Sequence, residues 1–485
     1  MSLPSAVALP EECRLGSLNY SLAPEARSYS VKVQPSNVSQ VQQTGITFTQ
    51  SIVNEVQFPV TNLIFDIPSC GSSPSIFLDT RMSTLNFRIN ITCTTASVGQ
   101  TMTSANLRGS AGSFFDRFYC TAQNGNIIED ITELGLLTDT LLQLQMNPSS
   151  RDGNALLYGF LSDTTNESNG HSFSGLVATA ATTTSFNESY SYSIPVVSGV
   201  IGVLNDKFVN VGRTSRLQAV FQTAPILPIT FNAGAITTAG VYTITLSDFS
   251  LQLEMVDIGL ASLQMLDATL HDGKAYSHGI TYRTSTASMG TSAGSQTLLA
   301  GLRASSIKSL FARIYDGGTT NTTNSVNGKY DSKNCFSSMS FNIGGIRYPQ
   351  TPINVLVHPS QAMMETQKAV GSFNSTQYSS SIIPAQYCKL SAGLTAQGVT
   401  VGASQSYFWN LGTTAGKLAS YIYGVNTEVC AKRGIMSGVN ATSSPIFLEG
   451  VVPSTLTNSQ TVYIHAMCDH ILIHDVVSGD IQVRL

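Results

Sequence analysis

The sequence has few charged residues and almost no tryptophan. Only 11% of its 485 residues are Asp, Glu, Lys or Arg, and Trp409 is the single tryptophan. Lysine and arginine are scattered and the formal net charge is −4, so no basic arm is available to neutralise nucleic-acid phosphates. No run approaches the roughly 20 apolar residues that a membrane-spanning helix needs. These absences disfavour direct nucleic-acid packaging, a membrane span and an aromatic platform for carbohydrate.

Uncharged polar residues replace the missing charge. Hydrophobic residues make up an ordinary 42% of the chain, and most of the remainder is Ser, Thr, Asn, Gln and Gly. This composition favours strands and turns over a helical enzyme with a Lys- and Glu-rich surface. Charge is also depleted at the centres of protein interfaces, so the composition indicates surfaces that partners cover.

The cysteine pattern predicts reduced thiols. No CxxC pair occurs, and several of the eight cysteines lie in apolar strand-like runs, where a thiol acts as a small hydrophobe. The first residues lack the basic n-region of a signal peptide and contain two prolines. Both features favour assembly inside a cell. The eight are Cys13, Cys70, Cys93, Cys120, Cys335, Cys388, Cys430 and Cys468.

The second half of the chain repeats the first weakly, at spacings of about 220 to 240 residues. Val241-Tyr242 is followed by Asp248, and Val462-Tyr463 is followed by Asp469. Strand-like runs ending at Phe118 and at Phe341 are each followed by a turn and a helix-like stretch, and the tripeptide Ser-Gly-Val occurs at 198–200 and at 437–439. The common order predicts two similar β domains in tandem.

Local patterns place these domains along the chain. We predict an extended arm at 1–45, a first β domain at 46–258, a linker at 259–272 and a second β domain at 273–485. Many short apolar runs, such as Leu85–Ile91 with its period of two, predict strands.

Each half also contains one helical pattern. Residues Ile128 to Met146 have apolar residues at helical spacing, and a second helix is predicted from an N-cap at Ser360 through Val370, with Gly371 closing it. The pattern as a whole is typical of an all-β protein with two sandwich or jelly-roll units.

Motifs of catalysis and cofactor binding are missing: the sequence has no GxGxxG, Walker A, HExxH or GxSxG. One group near the C-terminus, His465, Cys468, His470 and His474, raises the question of a metal site. Its spacing matches no closed zinc pattern, so solvated or core histidines are the favoured interpretation.

Scattered charged residues give no catalytic assignment either. A glycosidase needs two facing carboxylates, and nothing pairs the aspartates at predicted strand ends, so capping is favoured. Three basic residues around one predicted strand indicate a solvated sheet face or a subunit salt bridge, and anion binding is the more specific alternative. We therefore assign no catalytic, cofactor-binding or metal residue. The aspartates are Asp66, Asp79, Asp116, Asp248, Asp257 and Asp469, and the basic residues are Arg303, Lys308 and Arg313.

Four segments resemble the double jelly-roll major capsid proteins of tailless icosahedral DNA viruses. This family includes those of polinton-like viruses, adintoviruses and virophages and, more distantly, the adenovirus hexon. The first segment is similar to the family's first-roll strand, turn and helix entry, and the second to its Arg-x-Ser-Ser strand. The third, the most specific, is similar to its Gly-x-x-x-Tyr-Pro-x-x-Pro-Ile motif, and the fourth to its late Ser-Gly-Val strand entry. The segments are GSFFDRFY at 112–119 with Asn124-Gly125 and Ile128-Glu-Asp, LRASSIKSLF at 302–311, FNIGGIRYPQTPI at 341–353 and SGVNATSSPIFL at 437–448.

The resemblance implies a fold and an assembly. It implies two tandem eight-stranded jelly rolls with one short helix in each, and long outer loops at 159–190, 316–334 and 389–406. Three such chains form a homotrimer of pseudo-hexameric outline, and trimers tile an icosahedral capsid around double-stranded DNA that other proteins condense. Implied partners are neighbouring trimers, penton proteins and minor capsid or cement proteins. The protein is then a structural part of the virion, assembled in the host cell, with the 1–45 arm reaching a neighbour.

Two other classes stay open at this point. A two-domain β-sandwich glycoside hydrolase needs convergent carboxylates and an aromatic cleft. A cell-surface adhesin of tandem sandwiches needs a secretion signal and is expected to be an elongated monomer.

Overall fold

The computed structural model describes somewhat less than three quarters of the chain. The described residues are 26–37, 46–51, 60–69, 73–94, 102–107, 109–122, 125–159, 172–173, 185–226, 228–233, 241–270, 272–316, 328–373, 380–382, 384–391, 394, 419–429 and 436–485.

Thirteen strands lie in the first half of the chain, counted over the described residues. Period-two patterns set them: in the longest central strand Leu85, Phe87 and Ile89 are buried, while Arg88 between them is exposed. The strands are β1 (Arg27–Val33), β2 (Ile46–Ser51), β3 (Asn62–Ile67), β4 (Ile76–Thr94), β5 (Met102–Leu107), β6 (Phe115–Ala122), β7 (Ile127–Thr132), β8 (Ser172–Phe173), β9 (Ser185–Pro195), β10 (Phe208–Val209), β11 (Leu217–Thr223), β12 (Ile229–Ala233) and β13 (Val241–Asp257).

These strands form two facing antiparallel sheets and a small extra one. In the first sheet β1 and β2 both pair with β13, β13 pairs with β4, and β4 pairs with β9 and β10. The second sheet has the order β3-β11-β6-β7, and the small sheet has the order β12-β5-β8. Phenylalanines fill the space between the two main sheets, with Phe87 and Phe115 edge to face at 5.3 Å and Phe118 and Phe221 at 4.8 Å.

The second half repeats this arrangement. Its sheets have the orders β14-β21-β16-β19 and β15-β20-β17-β18, with β22 added beside β21. Counting from its first strand, strands one, eight, three and six form one sheet and strands two, seven, four and five the other, which is the jelly-roll order. The strands are β14 (Lys274–Met289), β15 (Gly294–Ala300), β16 (Ile307–Asp316), β17 (Ser338–Ile343), β18 (Ile346–Asn354), β19 (Ile422–Asn426), β20 (Ile446–Val452), β21 (Gln460–Asp475) and β22 (Asp480–Arg484).

The same order holds in the first half when β1 and β2 are taken together as one interrupted strand. Its positions are then β1/β2, β3, β4, β6, β7, β9, β11 and β13. The predicted fold class, two tandem eight-stranded jelly rolls, is confirmed. The weak sequence repeat falls on equivalent strands, because Phe118 and Phe341 lie in the fourth strand of each roll and Asp248 and Asp469 in the eighth.

The helices lie mainly after the fifth strand of each roll. The two longest, α1 and α5, occupy this equivalent position and match the predicted helix in each half. The helices are α1 (Leu134–Gln145), α2 (Pro148–Gly153), α3 (Ala155–Tyr158), α4 (Gly259–Asp267), α5 (Pro359–Val370) and α6 (Pro384–Tyr387). Among the described residues, none of these helices has the length and apolarity to cross a membrane.

Both predicted helices begin at other residues than expected. The helix predicted from Ile128 begins only at Leu134, because residues 127–132 pair with β6 as β7. Helix α5 ends as predicted at Gly371, whose φ is 76°, but Pro359 is its first residue, so Ser360 is not the N-cap. The predicted linker contains α4.

Part of the predicted N-terminal arm is also a strand. Residues Arg27–Val33 form β1 at the edge of the first sheet and pair with β13 from Leu251 to Asp257. Val31 and Val33 alternate with polar residues and are partly buried against the core, which explains the pairing. Residues 1–25 and 38–45 lie outside the described residues.

The rolls have two distinct ends. Strand β4 has 19 residues, about 60 Å at roughly 3.3 Å per residue, and its first residue pairs with Asp257 beside α4 while its last pairs with Val241 at the opposite end. In the second roll, Asp316 pairs with Gln460 at the end away from α4. The predicted outer loops therefore start or finish at the end opposite α4, although most of their residues lie outside the described ranges.

Candidate functional site

The two jelly rolls meet along a surface that we call the seam. It is the contact between β7 and α1 of the first roll and the sheet face formed by β14, β21 and β16 of the second. The Thr284 hydroxyl donates a hydrogen bond to the Thr132 carbonyl across it, at 3.0 Å. The strands of the two rolls do not pair here, so side-chain contacts join them, together with backbone hydrogen bonds such as that from the Ser381 N–H to the Gln143 carbonyl at 2.8 Å.

Glu129 of β7 is a buried carboxylate in the seam. It accepts hydrogen bonds from the Ser198 hydroxyl, from the Gly199 N–H at 2.8 Å and from the Thr281 hydroxyl of the second roll at 2.6 Å. Burial raises the pKa of Glu129, and the hydrogen bonds from Ser198 and Thr281 oppose that rise. Glu129 thus joins three segments from two rolls in one network.

A buried ion pair crosses the seam beside this network. Arg313 of β16 contacts Asp139 of α1 at 2.7 Å, and their side chains are 0% and 1% exposed. The Arg313 guanidinium also donates to the Thr140 hydroxyl at 3.1 Å and to the Tyr330 carbonyl at 3.4 Å. A charge buried this deeply is stable only beside its partner, so the pair fixes how α1 docks on the second roll.

Further polar contacts extend the seam on both sides. Lys329 of the second roll binds Asp116 at 2.9 Å and Glu133 at 2.7 Å, both in the first roll. The Arg151 guanidinium donates to the Ser381 hydroxyl at 2.6 Å. Every one of these bonds joins residues more than 190 positions apart in sequence, so they all depend on the rolls being side by side.

The backbones of the two rolls approach each other closely where Gly199 and Gly279 pack against the ring of His470. A Cβ placed at Gly199 would collide with the Ile280 carbonyl oxygen and with the His470 ring, and one placed at Gly279 would lie 2.5 Å from that ring. Only glycine permits such an approach of backbone to backbone. The first Ser-Gly-Val tripeptide of the sequence repeat therefore makes a contact between the rolls.

The structure separates the four residues of the C-terminal His and Cys group. Cys468 points into the core of the second roll, whereas His465, His470 and His474 face the first roll or the junction. Within the described ranges no three His, Cys, Asp or Glu side chains are grouped closely enough to hold a metal ion. Burial lowers the pKa of His465 to about 3, helped by the charges of Arg313 and Lys329, and that of His470 to about 4, helped by His278.

These buried neutral histidines predict acid lability. Below pH 6.5 the unfolded chain protonates both residues while the folded chain does not until about pH 4 or 3, so falling pH favours unfolding. Between pH 6.5 and 4 each histidine should cost roughly 3 kcal/mol of stability. Urea unfolding at several pH values checks this, and the pH dependence should be shallower in His465→Asn and His470→Asn. An unchanged slope in the double variant would contradict the assignment.

The predicted carboxylates each have separate partners. Asp66 binds Arg216 and Gln218, and Asp79 binds Arg81. Asp116 binds Lys329, as described above, while Asp257 accepts from Ser75 and from the Gly259 N–H at the start of α4. Asp248 has a left-handed backbone with φ 55°.

Asp469 is the most connected of these aspartates. It is fully buried and accepts hydrogen bonds from Ser306 at 2.6 Å and from the Ser437 N–H at 3.3 Å, and it lies 2.8 Å from the His278 Nε2. Burial alone raises the pKa of Asp469, but His278 and Ser306 outweigh it and hold the pKa below its usual value. This carboxylate ties together strands of the second roll.

The predicted basic group is only partly solvated, because Arg303 is exposed whereas Lys308 and Arg313 are buried. Lys308 is 7% exposed and binds Glu428 at 2.9 Å, and Arg313 lies in the seam as described. The prediction of a solvated face or a subunit salt bridge was wrong for both residues, because their partners are buried in the same chain. Trp409 lies outside the described residues.

Sequence reasoning missed most of the seam. One signal for it was present, since Asp139 is the only charged residue of α1, a helix that is otherwise apolar or neutral and buried along most of its length. A lone charge in such a helix indicates a buried partner. No comparable signal marks Glu129 or Lys329.

Comparison with solved structures identifies the fold of this chain. No family model matches the sequence, and none of the curated proteins matches it. Among solved structures, the mavirus major capsid protein is similar over 100% of this chain and 95% of its own, with 11% identity and a TM-score of 0.52. The similarity to the Faustovirus major capsid protein covers 92% of this chain and 90% of that protein, with 10% identity and a TM-score of 0.51. The similarity to a chain of the quasi-atomic PBCV-1 virus capsid covers 94% of this chain and 97% of that chain, with 9% identity and a TM-score of 0.50. The chain therefore has the double jelly-roll fold of these viral capsid proteins.

Proposed function

We propose that this chain is a structural major capsid protein whose homotrimers form pseudo-hexameric tiles of an icosahedral shell. The observation that carries the proposal is the seam. It joins two different surfaces, the β7 edge of the first roll and the β14-β21-β16 face of the second roll. Because the two rolls have the same strand order, each roll has both an edge and a face of this kind. The seam uses the edge of the first roll and the face of the second, so the edge of the second roll and the face of the first are left unused.

The unused edge is on the surface of the second roll. Strand β18 is the edge strand that corresponds to β7, and in the two ladders Ile346 holds the position of Glu129. Ile346 is 57% exposed, whereas Glu129 is 6% exposed. Helix α5, the counterpart of the buried α1, buries only Ala362, Thr366 and Ala369.

The unused face belongs to the first roll. Residues of β4 and β13 that point away from its core, such as Asn86, Arg88 and Ser247, are partly or fully exposed and mostly uncharged. A polar face with little charge suits the centre of a protein interface. If the edge of one chain binds the face of the next, as in the seam, the contact repeats and closes a ring of six rolls from three chains.

The rest of the assembly follows from this orientation. We infer that the end with the long loops faces outward and the α4 end faces the interior, and that residues 259–272 divide the two rolls. Contacts between trimers act together, so a closed shell is stable although each contact is weak. Penton, minor capsid or cement proteins complete the shell, and other proteins condense the double-stranded DNA, because this chain carries a net charge of −4. The role is structural and not enzymatic, and its location is the virion.

Negative-stain imaging of the purified protein tests the proposal. The expected result is particles of pseudo-hexagonal outline, alone or joined in sheets or shells. Elongated single molecules with two lobes, with no larger particles across micromolar concentrations, would reject it in favour of an adhesin-like monomer.

A charge placed on the unused edge should prevent trimer formation. Ile346→Lys inserts an ammonium group at the proposed centre of the interface, where its burial is costly, so the variant should be a folded monomer. Leu299→Lys is a matched control, because Leu299 is 58% exposed on β15, the opposite edge of the same sheet. Sedimentation velocity compares the two. A trimeric Ile346→Lys protein would place the interface elsewhere.

A further inference from the structure

A cavity of about 170 Å³ lies at the junction of the two rolls, at the α4 end. Strand β10, helix α4 and the ends of β14 and β21 enclose it. Most of the surface that lines it is apolar. The main apolar contributors are Phe77, Phe208, Leu266, Leu270, Tyr276 and Leu472.

One buried polar group also lines this cavity. His474 is 5% exposed, and its Nε2 has no hydrogen-bond partner in the protein. Burial lowers the pKa of His474 and so favours the neutral ring. A ring nitrogen of a neutral imidazole either donates or accepts a hydrogen bond, and a hydroxyl group can pair with it in both cases.

The neighbouring charged group does not pair with this nitrogen. The Arg213 guanidinium also lines the cavity, but both of its terminal nitrogens bind the Asp267 carboxylate, at 2.5 and 2.7 Å. A buried polar atom without a partner is costly, so a ligand that supplies a hydroxyl gains affinity there. The cavity thus has a mostly apolar lining that includes a buried nitrogen, the Nε2 of His474, without a hydrogen-bond partner.

We propose that this cavity binds one hydroxylated aromatic ring, whose apolar part packs against the lining and whose hydroxyl forms a hydrogen bond with the Nε2 of His474. An apolar cavity of about 150 Å³ holds a benzene molecule, so the volume fits a single ring with one small substituent. The ring can come from a free phenol or from a tyrosine side chain of a peptide. Because the lining comes from both rolls and α4, an occupant binds only when they are docked and stabilises that arrangement.

Ligand-observed NMR titration of the full-length protein tests the inference with phenol and toluene. Toluene has a similar size but no donor, so phenol should bind at least about tenfold more tightly. His474→Leu should abolish this preference and leave toluene binding intact, while His474→Gln, which keeps an acceptor, should retain part of it. Leu266→Trp should fill the cavity and abolish binding of both.

N-acetyl-tyrosinamide distinguishes the two sources of the ring. Binding tighter than that of phenol supports a peptide side chain, and binding of phenol alone supports a free small molecule. Equal affinity for phenol and toluene in the wild type overturns the inference, as does a phenol-soaked crystal with only water beside His474. Neither outcome bears on trimer formation, so the capsid proposal is tested separately.

Discussion

Arg313→Met is expected to lower the free energy of unfolding by about 3–5 kcal/mol. The substitution leaves the Asp139 carboxylate buried without its partner, and an unpaired buried charge costs far more than a lost surface contact. Because this ion pair lies in the seam, the substitution should also make the junction between the rolls more accessible to protease. Urea unfolding at fixed protein concentration measures the effect, since the stability of an oligomer depends on concentration.

Two matched variants isolate the cause. Arg117→Met breaks a pair at 2.7 Å whose side chains are 34% and 37% exposed, and it should cost less than about 1 kcal/mol. The double variant Arg313→Met with Asp139→Leu removes both buried charges and should recover much of the loss. Equal costs for Arg313→Met and Arg117→Met would show that the ion pair does not hold the rolls together.

Gly199→Ala is expected to have a comparably large effect, on the order of 3 kcal/mol, through overpacking. The new methyl group would overlap the carbonyl oxygen of Ile280, and a strand backbone cannot move aside as a flexible side chain can. The second roll should have to shift away from the first. Soluble yield and the midpoint of urea unfolding report the change.

Gly290→Ala is the control for this substitution. No atom lies within 4 Å of a Cβ at Gly290, so alanine there should be neutral or stabilise the protein by up to about 1 kcal/mol. Gly438→Ala should resemble Gly199→Ala in cost, because its Cβ would overlap the backbone of Ile307. A Gly199→Ala protein as stable as Gly290→Ala would mean that the rolls are not in close contact at this point.

The fold was largely predictable because strand periodicity is local. The alternation of Leu85 to Ile91 and the long apolar pattern of β13 each predict a half-buried strand without tertiary information. The extent of each strand was harder to predict: Leu85–Ile91 is only the central part of β4, which also includes the polar residues between Leu78 and Leu85 because pairing with β13 continues beyond an irregular register. Residues 128–132 were mistaken for helix because their apolar spacing fits both periods, and only pairing with β6 decides between them.

The seam was not predictable, because its contacts join positions far apart in sequence. Nothing local distinguishes Glu129, which accepts from Thr281 across the seam, from Asp130 beside it, which pairs with Arg117 in the solvent. The Ser-Gly-Val repeat was visible in the sequence, but its reason, a backbone contact at Gly199, appears only when both rolls are in place. The histidines of β21 suggested a metal site only by being near each other in sequence.

The molar mass in solution tests the central claim most directly. Light scattering during size-exclusion chromatography of the wild-type protein should give three times the 51.6 kDa of one chain, down to micromolar concentration. A stable monomer under these conditions would contradict the account, because the unused edge and face of the two rolls would then have no partner.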